Sequence, residues 1–69
     1  MPTVGQHYRH YKGTEYVVIA LAKHSETEEG LVIYQDVGSS EKIWARPTSM
    51  FVETVEIDGV TQLRFTPIV

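Results

Sequence analysis

A two-residue turn between alternating strands constrains the fold of this chain more than any other feature of its sequence. Asp58-Gly59 separates F-V-E-T-V-E-I from V-T-Q-L-R-F. An Asp-Gly pair between runs of alternating apolar and polar residues is the strongest short-range signal for a β-hairpin. We therefore predict a hairpin over this segment, in which Val55 and Ile57 pair with Leu63 and Phe65 on the buried face.

The rest of the chain also shows the pattern of short strands. Its apolar runs are rich in β-branched and aromatic residues, and helical periodicity is nearly absent. Four further strands are expected at about 5–11, 15–24, 31–36 and 43–46. Pro47 has no N–H to donate to a sheet, so Pro47–Met50 is predicted to form a single turn of 3-10 helix.

These elements predict one all-β domain over residues 1–69. Five to six short strands separated by frequent turns are typical of a small barrel. The order of strands, with a single-turn helix before the last hairpin, favours an SH3-like barrel over about residues 5–66. A β-sandwich of similar size is the structural alternative.

Length and composition exclude several classes of protein. The chain has 69 residues and no cysteine, which excludes disulfides and thiolate metal sites. Its stability then depends on a small hydrophobic core, which contributes roughly 3–5 kcal/mol to the free energy of unfolding. The N-terminal residues lack the basic and apolar regions of a signal peptide. The longest apolar run, Val17–Ala22, is too short to span a bilayer. We expect a cytoplasmic protein that has no membrane segment and no cofactor.

Charge is distributed unevenly along the chain. Residues 1–24 carry three cations and one acid, a net +2, whereas residues 25–69 carry three cations and eight acids, a net −5, which gives the total of −3. Phosphate contacts supply most non-specific affinity for nucleic acid, so an acidic chain is a poor general binder. A local basic face is still able to select an anionic ligand.

The basic part of the chain contains the segment Y-R-H-Y-K-G at residues 8–13. Alternation places its first Tyr, its His and its Lys on one face of the first strand, and it places Trp44 and Arg46 together on the fourth. An indole beside a guanidinium is a common recognition pair. The predicted ligand-binding surface consists of Tyr8, His10, Lys12, Tyr34, Trp44 and Arg46. The competing interpretation is that Tyr8 and His10 face the core and that Trp44 packs over one end of the barrel.

Neither a metal site nor a catalytic site is predicted. His7, His10 and His24 have no zinc-like spacing, and two imidazoles need a further ligand such as Glu15. His24-Ser25-Glu26 has the residue types of a catalytic triad, but neighbours in an extended segment point to opposite sides. The S-E-T-E segment is predicted to be a turn whose hydroxyls accept hydrogen bonds from backbone amides. We expect a protein that is not an enzyme.

Four motifs resemble those of a known family. They are Y-R-H-Y-K-G at 8–13, H-S-E-T at 24–27, V-I-Y at 32–34 and W-A-R-P-T-S-M-F at 44–51. In this order they are similar to the short bacterial family catalogued as domain of unknown function 1653, from Gly5 to Phe65. The resemblance implies a standalone bacterial protein with an SH3-type small barrel, and it implies no activity.

These features favour a small binding module for a nucleic-acid or protein segment. One alternative is a small-molecule-binding or enzyme-accessory domain. The other is a structural protein that dimerises through an exposed edge strand, and the oligomeric state stays open. Binding driven by phosphate contacts weakens steeply with salt, which distinguishes it from binding in an apolar groove.

Overall fold

The computed structural model describes residues 1–68, which form seven β-strands and a single-turn helix. The elements are β1 (His7–His10), β2 (Glu15–Lys23), β3 (Gly30–Asp36), β4 (Ile43–Pro47), α1 (Thr48–Phe51), β5 (Thr54–Ile57), β6 (Val60–Leu63) and β7 (Phe65–Ile68). Five strands form an antiparallel sheet in the order β4-β3-β2-β1-β7, and β5 and β6 form a separate ribbon. The predicted all-β class is confirmed.

The Asp58-Gly59 turn forms the β5–β6 ribbon, as the sequence predicts. Both turn residues have positive φ, 50° and 79°, which is the conformation of a type I′ turn. This turn places Val55 opposite Gln62. It also places Ile57 opposite Val60. The predicted pairing of Val55 and Ile57 with Leu63 and Phe65 is therefore wrong, and Phe65 lies outside the ribbon, where it begins β7.

Two further elements differ from the prediction. The turn after β4 is α-helical rather than 3-10, because the Val52 N–H donates to the Thr48 carbonyl at 3.1 Å. The strand number exceeds five to six because β7 contains Pro67, which obscures the strand pattern. Proline is tolerated there because β7 is an edge strand that pairs only with β1. No helix among residues 1–68 has the length and apolar character needed to cross a membrane.

The five-stranded sheet is strongly curled. Neighbouring strands lie about 4.8 Å apart, so β3 and β7 would be separated by about 14 Å in a flat sheet. The ring centres of Tyr34 on β3 and Phe65 on β7 are nevertheless 5.4 Å apart. A bulge between Val18 and Ala20 interrupts the register of β2 and β3, and bulges bend and twist a strand. Within the described residues the sheet wraps over its inner face without closing into a barrel.

The core lies on the inner face of this curled sheet. Its buried side chains are Tyr8, Val18, Val32, Tyr34, Phe51 and Phe65. Phe51 comes from α1 and is 1% exposed. Its ring stacks on Phe65 at 4.1 Å and meets Tyr8 and Tyr34 edge-on at 5.1 and 5.5 Å. Both arrangements are favourable for aromatic rings, so α1 closes the inner face with one side chain.

Candidate functional site

One end of the sheet brings aromatic and cationic side chains together on its inner face. Residues directly opposite each other in antiparallel strands share a face. The register places Trp44 opposite Tyr34 and His10 opposite Phe65, and Arg46 follows Trp44 two positions later on the same face. We call the following set the basic-aromatic cluster: His10, Tyr16, Tyr34, Trp44, Arg46 and Phe65.

The Phe65 ring organises this cluster. The ring centres of His10, Tyr34 and Tyr16 lie 5.0, 5.4 and 6.0 Å from its centre, each at a steep angle. The guanidinium carbon of Arg46 lies 5.6 Å from the same point, within the range of a cation–π interaction. The curl of the sheet makes these contacts possible, since Arg46 and Phe65 belong to its two edge strands.

Arg46 has a charge that is available to a ligand. Its Nε donates a hydrogen bond to the Tyr34 hydroxyl at 3.2 Å. Arg9 pairs with Glu15 and Arg64 with Glu53, whereas no carboxylate among residues 1–68 lies within 4.0 Å of the Arg46 guanidinium. Among the described residues, Arg46 therefore forms no salt bridge that would give it a purely structural role.

The surroundings of His10 disfavour its protonated form. Burial lowers the pKa of His10 below its usual value, and the positive charges of Arg46 on β4, Arg64 before β7 and Lys12 in the β1–β2 turn lower it further. Its Nδ1 accepts the Lys12 backbone N–H at 3.2 Å. In the neutral ring the proton is then on Nε2, so His10 is a hydrogen-bond donor through that atom.

The other predicted site residues lie in different environments. Trp44 is 50% exposed, whereas Tyr34, opposite it on β3, is 5% exposed. Tyr8 is also a core residue. Its hydroxyl donates to the Gln6 side chain at 2.8 Å, and burial raises the pKa of Tyr8. Lys12 lies in the exposed turn beyond β1 rather than on the strand. That any of these residues contacts a ligand stays a prediction.

The predicted site residues do not include Arg64, which lies close to the end of β1. Its side chain is 23% exposed, and its Nη2 donates to the Glu53 carboxylate at 3.2 Å. Its backbone carbonyl accepts the Tyr11 N–H at 2.9 Å, which fixes it beside the end of β1. Because Arg64 lies at the bend between β6 and β7, strand alternation gave no signal for its position.

A cleft adjoins the cluster between the β1–β2 turn and β7. Its volume is about 500 Å³, and its lining consists of Arg9, His10, Tyr11, Gly13, Gln62, Thr66, Pro67 and Ile68. Ligand pockets in proteins commonly measure about 300–1,000 Å³. Arg9 and Thr66 lie opposite each other and alternate with the inner-face pair His10 and Phe65, so they belong to the outer face. The cleft therefore borders the cluster only at His10.

The remaining histidines have structural contacts. The His7 Nδ1 lies 2.9 Å from the Glu15 carboxylate on the outer face. The His24 Nδ1 accepts the backbone N–H groups of Glu26 and Thr27 at 3.1 and 3.4 Å. The Thr27 hydroxyl accepts a hydrogen bond from the backbone N–H of Glu29 at 3.3 Å. This agrees with the prediction that a hydroxyl of the S-E-T-E segment binds a backbone amide. Residues 1–68 contain no group of three His, Cys, Asp or Glu side chains arranged to hold a metal ion.

The fold and the cluster define a class of protein: a small all-β domain with a curled antiparallel sheet and a basic-aromatic end. The chain belongs to a family of proteins of unknown function, DUF1653, which it matches over residues 6–67. The chain is also similar to the crystal structure of a DUF1653 protein from Bordetella bronchiseptica. The two chains are 31% identical with a TM-score of 0.82, and the match covers 96% of this chain and 87% of that chain. Comparison with curated proteins gave no match. The family resemblance in the motifs is confirmed.

Proposed function

We propose that the protein is a cytoplasmic, non-catalytic binding module that recognises a short single-stranded nucleic-acid segment through the basic-aromatic cluster. The observation that carries this proposal is the half-exposed Trp44 beside Arg46, on one face of one strand. An exposed ring provides a stacking platform for a base. An Arg that has no carboxylate partner among residues 1–68 provides a contact for the adjacent phosphate.

The proposal includes an SH3-like arrangement of the strands. The contact between Tyr34 and Phe65 across three strand spacings supports it, as does the single-turn helix between β4 and β5. In this arrangement the core fills the inner face, and Tyr34 and Phe65 belong both to the core and to the cluster. We place the ligand at the more exposed part of the cluster, at Trp44 and Arg46.

The charge of the protein restricts the ligand to a short segment. The whole chain carries −3, so a long polyanion would be repelled outside the cluster. Within the cluster, stacking on an aromatic ring contributes about 1–3 kcal/mol per base. We therefore expect binding of one or two nucleotides at the cluster, with Trp44 as the main source of affinity and Arg46 as the anion contact.

Trp44 provides the assay, because it is the only tryptophan in the chain. Its fluorescence is titrated with a short oligonucleotide and, separately, with an acidic peptide of equal charge. Quenching by the oligonucleotide that saturates and weakens with salt is the expected result. The discriminating variant is Arg46→Gln. Its matched control is Lys23→Gln, which changes charge equally at the opposite end of β2.

The two variants separate a specific site from general charge. Loss of binding in Arg46→Gln with normal binding in Lys23→Gln supports the proposal. Equal loss in both variants indicates non-specific attraction and contradicts it. Saturable binding of the acidic peptide without binding of the oligonucleotide would assign the cluster to a protein segment instead.

A further inference from the structure

β4 is an edge strand whose outer side is open. It lies at one end of the five-stranded sheet, and no other strand among residues 1–68 pairs with its outer side. Its first three residues, Ile43, Trp44 and Ala45, are all exposed. An exposed edge strand offers unpaired backbone N–H and C=O groups to another strand.

The register of β3 and β4 determines which backbone groups point outward. In an antiparallel pair, residues that exchange hydrogen bonds alternate with residues that do not. The Asp36 N–H donates to the Lys42 carbonyl at 3.0 Å, so the even-numbered residues of β4 bond to β3. Pro47 belongs to the other set, as a residue without an N–H must. Ile43 and Ala45 therefore direct their N–H and C=O groups away from the sheet.

The opposite edge of the sheet, β7, is protected against pairing. The Tyr11 N–H donates to the Arg64 carbonyl at 2.9 Å, and in the same register the even-numbered residues of β7 bond to β1. Phe65 and Pro67 are then the outward residues. Pro67 has no N–H to offer, and proline on an edge strand prevents strand addition. Pairing of β4 with β7 of another copy is therefore disfavoured.

We propose that two copies of the protein pair antiparallel along β4, with Ala45 of each copy opposite Ala45 of the other at a two-fold axis. This inference goes beyond the proposed function and does not depend on it. The two Ala45 residues exchange two backbone hydrogen bonds. On either side of them, the Ile43 N–H of one copy donates to the Pro47 carbonyl of the other. This register pairs the whole of β4, and each copy uses the same surface, as a two-fold dimer requires.

The side chains of β4 are complementary to themselves in this register. Trp44 of each copy lies opposite Arg46 of the other, and the Cα atoms of such a non-hydrogen-bonded pair are about 4.5 Å apart. This spacing brings a guanidinium over an indole, a favourable cation–π pair. The indole has two faces, so its second face is left for a base. On the other side of the sheet, Ile43 lies opposite Pro47, and both are apolar.

Charge excludes the neighbouring registers. A shift by one residue is incompatible with the outward backbone groups, because it sets residues that bond to β3 against residues that point outward. A shift by two residues places Arg46 opposite either Lys42 or Arg46 of the second copy. Like charges directly opposite each other are destabilising. The occupant that fits this edge is therefore a second copy in the proposed register.

The test measures the ligand-free protein by light scattering over a dilution series from millimolar to micromolar concentration. The apparent mass is expected to double as the concentration rises. Amide hydrogen exchange is followed by NMR in the same samples. The Ala45 amide is expected to exchange rapidly in dilute protein and slowly in concentrated protein. The amides of Trp44 and Arg46 bond to β3 and are expected to exchange slowly throughout, which provides an internal control.

Ala45→Pro is the variant that tests the backbone pairing. It removes the central donor of the dimer without removing a hydrogen bond of the monomer, because the Ala45 N–H points away from β3. Proline is tolerated on an edge strand in that orientation. The dimer dissociation constant is expected to rise about 30-fold, the equivalent of two hydrogen bonds. Ala45→Thr keeps the N–H and favours strands, so it is expected to keep the dimer.

Two charge variants test the register. Arg46→Glu removes both cation–π contacts and is expected to raise the dissociation constant about 5- to 30-fold. Lys23→Glu makes the same change of charge at the far end of β2 and is expected to keep the wild-type value. Trp44→Glu places a carboxylate opposite each guanidinium and is expected to keep the dimer. In the register shifted by two residues, the two new carboxylates would oppose each other and separate the chains.

The outcomes that overturn the inference are distinct. The mass of one chain at every concentration overturns it, as does an Ala45 amide whose exchange is independent of concentration. A dimer with an unchanged dissociation constant in Ala45→Pro uses another surface and also overturns it. A monomeric Trp44→Glu contradicts the proposed register. None of these outcomes bears on the proposed function, because the experiment contains no oligonucleotide.

Discussion

Replacement of Phe51 tests how the inner face is stabilised. This side chain is the buried residue of α1, and three aromatic rings surround it at 4.1, 5.1 and 5.5 Å. Truncation of a buried Phe to Ala costs about 3–5 kcal/mol. A core in a domain of this size contributes about the same amount in total, so Phe51→Ala is expected to be largely unfolded at 25 °C.

Phe51→Leu gives a measurable intermediate. Leucine is apolar and of similar size, so the main loss is the interaction with the three rings. Each aromatic pair contributes at least about 0.5 kcal/mol beyond the buried area, which predicts a loss of about 1.5 kcal/mol. With a urea dependence of about 1 kcal/mol per molar for a small protein, the unfolding midpoint falls by about 1.5 M.

The assay is urea unfolding followed by circular dichroism and by the fluorescence of Trp44. Met50→Ala is the matched control, since Met50 precedes Phe51 in the same helix and is 44% exposed. It is expected to cost at most about 1 kcal/mol. A midpoint in Phe51→Leu equal to that of the wild-type protein, or a larger loss in Met50→Ala, would refute this account of the core.

Three further predictions follow from the site. The logarithm of the oligonucleotide affinity falls with the logarithm of salt concentration at a slope of about −1.4, because two phosphate contacts in a single strand contribute about −0.7 each; a slope near zero contradicts phosphate binding. Trp44→Ala weakens oligonucleotide binding by about 5- to 150-fold, the equivalent of about 1–3 kcal/mol of stacking, while Trp44→Phe retains most of it, as measured by calorimetry. Because the folded-state pKa of His10 is lowered from 6.5, the unfolded chain binds this proton more readily, so stability decreases as pH falls below about 6.5. His10→Gln should reduce this decrease between pH 7 and 5.5 in urea unfolding, and an identical profile in the variant contradicts it.

A strand can be predicted from the sequence when a recognisable turn motif lies next to it. Both residues of the Asp58-Gly59 turn have positive φ, and Asp and Gly adopt this conformation readily. A stretch of four or five adjacent residues is therefore enough to predict the β5–β6 ribbon. β7 has no such signal. It forms because β1 provides a partner edge for Phe65–Ile68, and the pairing of distant segments is a tertiary property that local pattern does not contain.

The candidate site is predictable only in part for the same reason. Alternation along one strand correctly places Trp44 with Arg46 and Tyr8 with His10 on common faces. It does not indicate how deeply each side chain is buried. Tyr8 and Tyr34 enter the core because the sheet curls over them, and this curl depends on the bulge between Val18 and Ala20 and on Phe51 from a separate element.

The curl also explains how an acidic chain presents a cationic site. Counting charge by segment assigns the positive charge to residues 1–24 and the negative charge to the remainder. The fold crosses this division, because the charges of Arg46 and Arg64, from the acidic segment, lower the pKa of His10 together with that of Lys12 from the basic one. Most acids lie elsewhere: Glu15 faces outward, and Glu26, Glu28 and Glu29 follow β2 at the other end of the sheet. The positive charges of residues that are distant in the sequence thereby act at one end of the fold. Glu53 pairs with Arg64 there, and Asp36 lies opposite Tyr16 of the cluster, so these two carboxylates weaken the attraction of an anion.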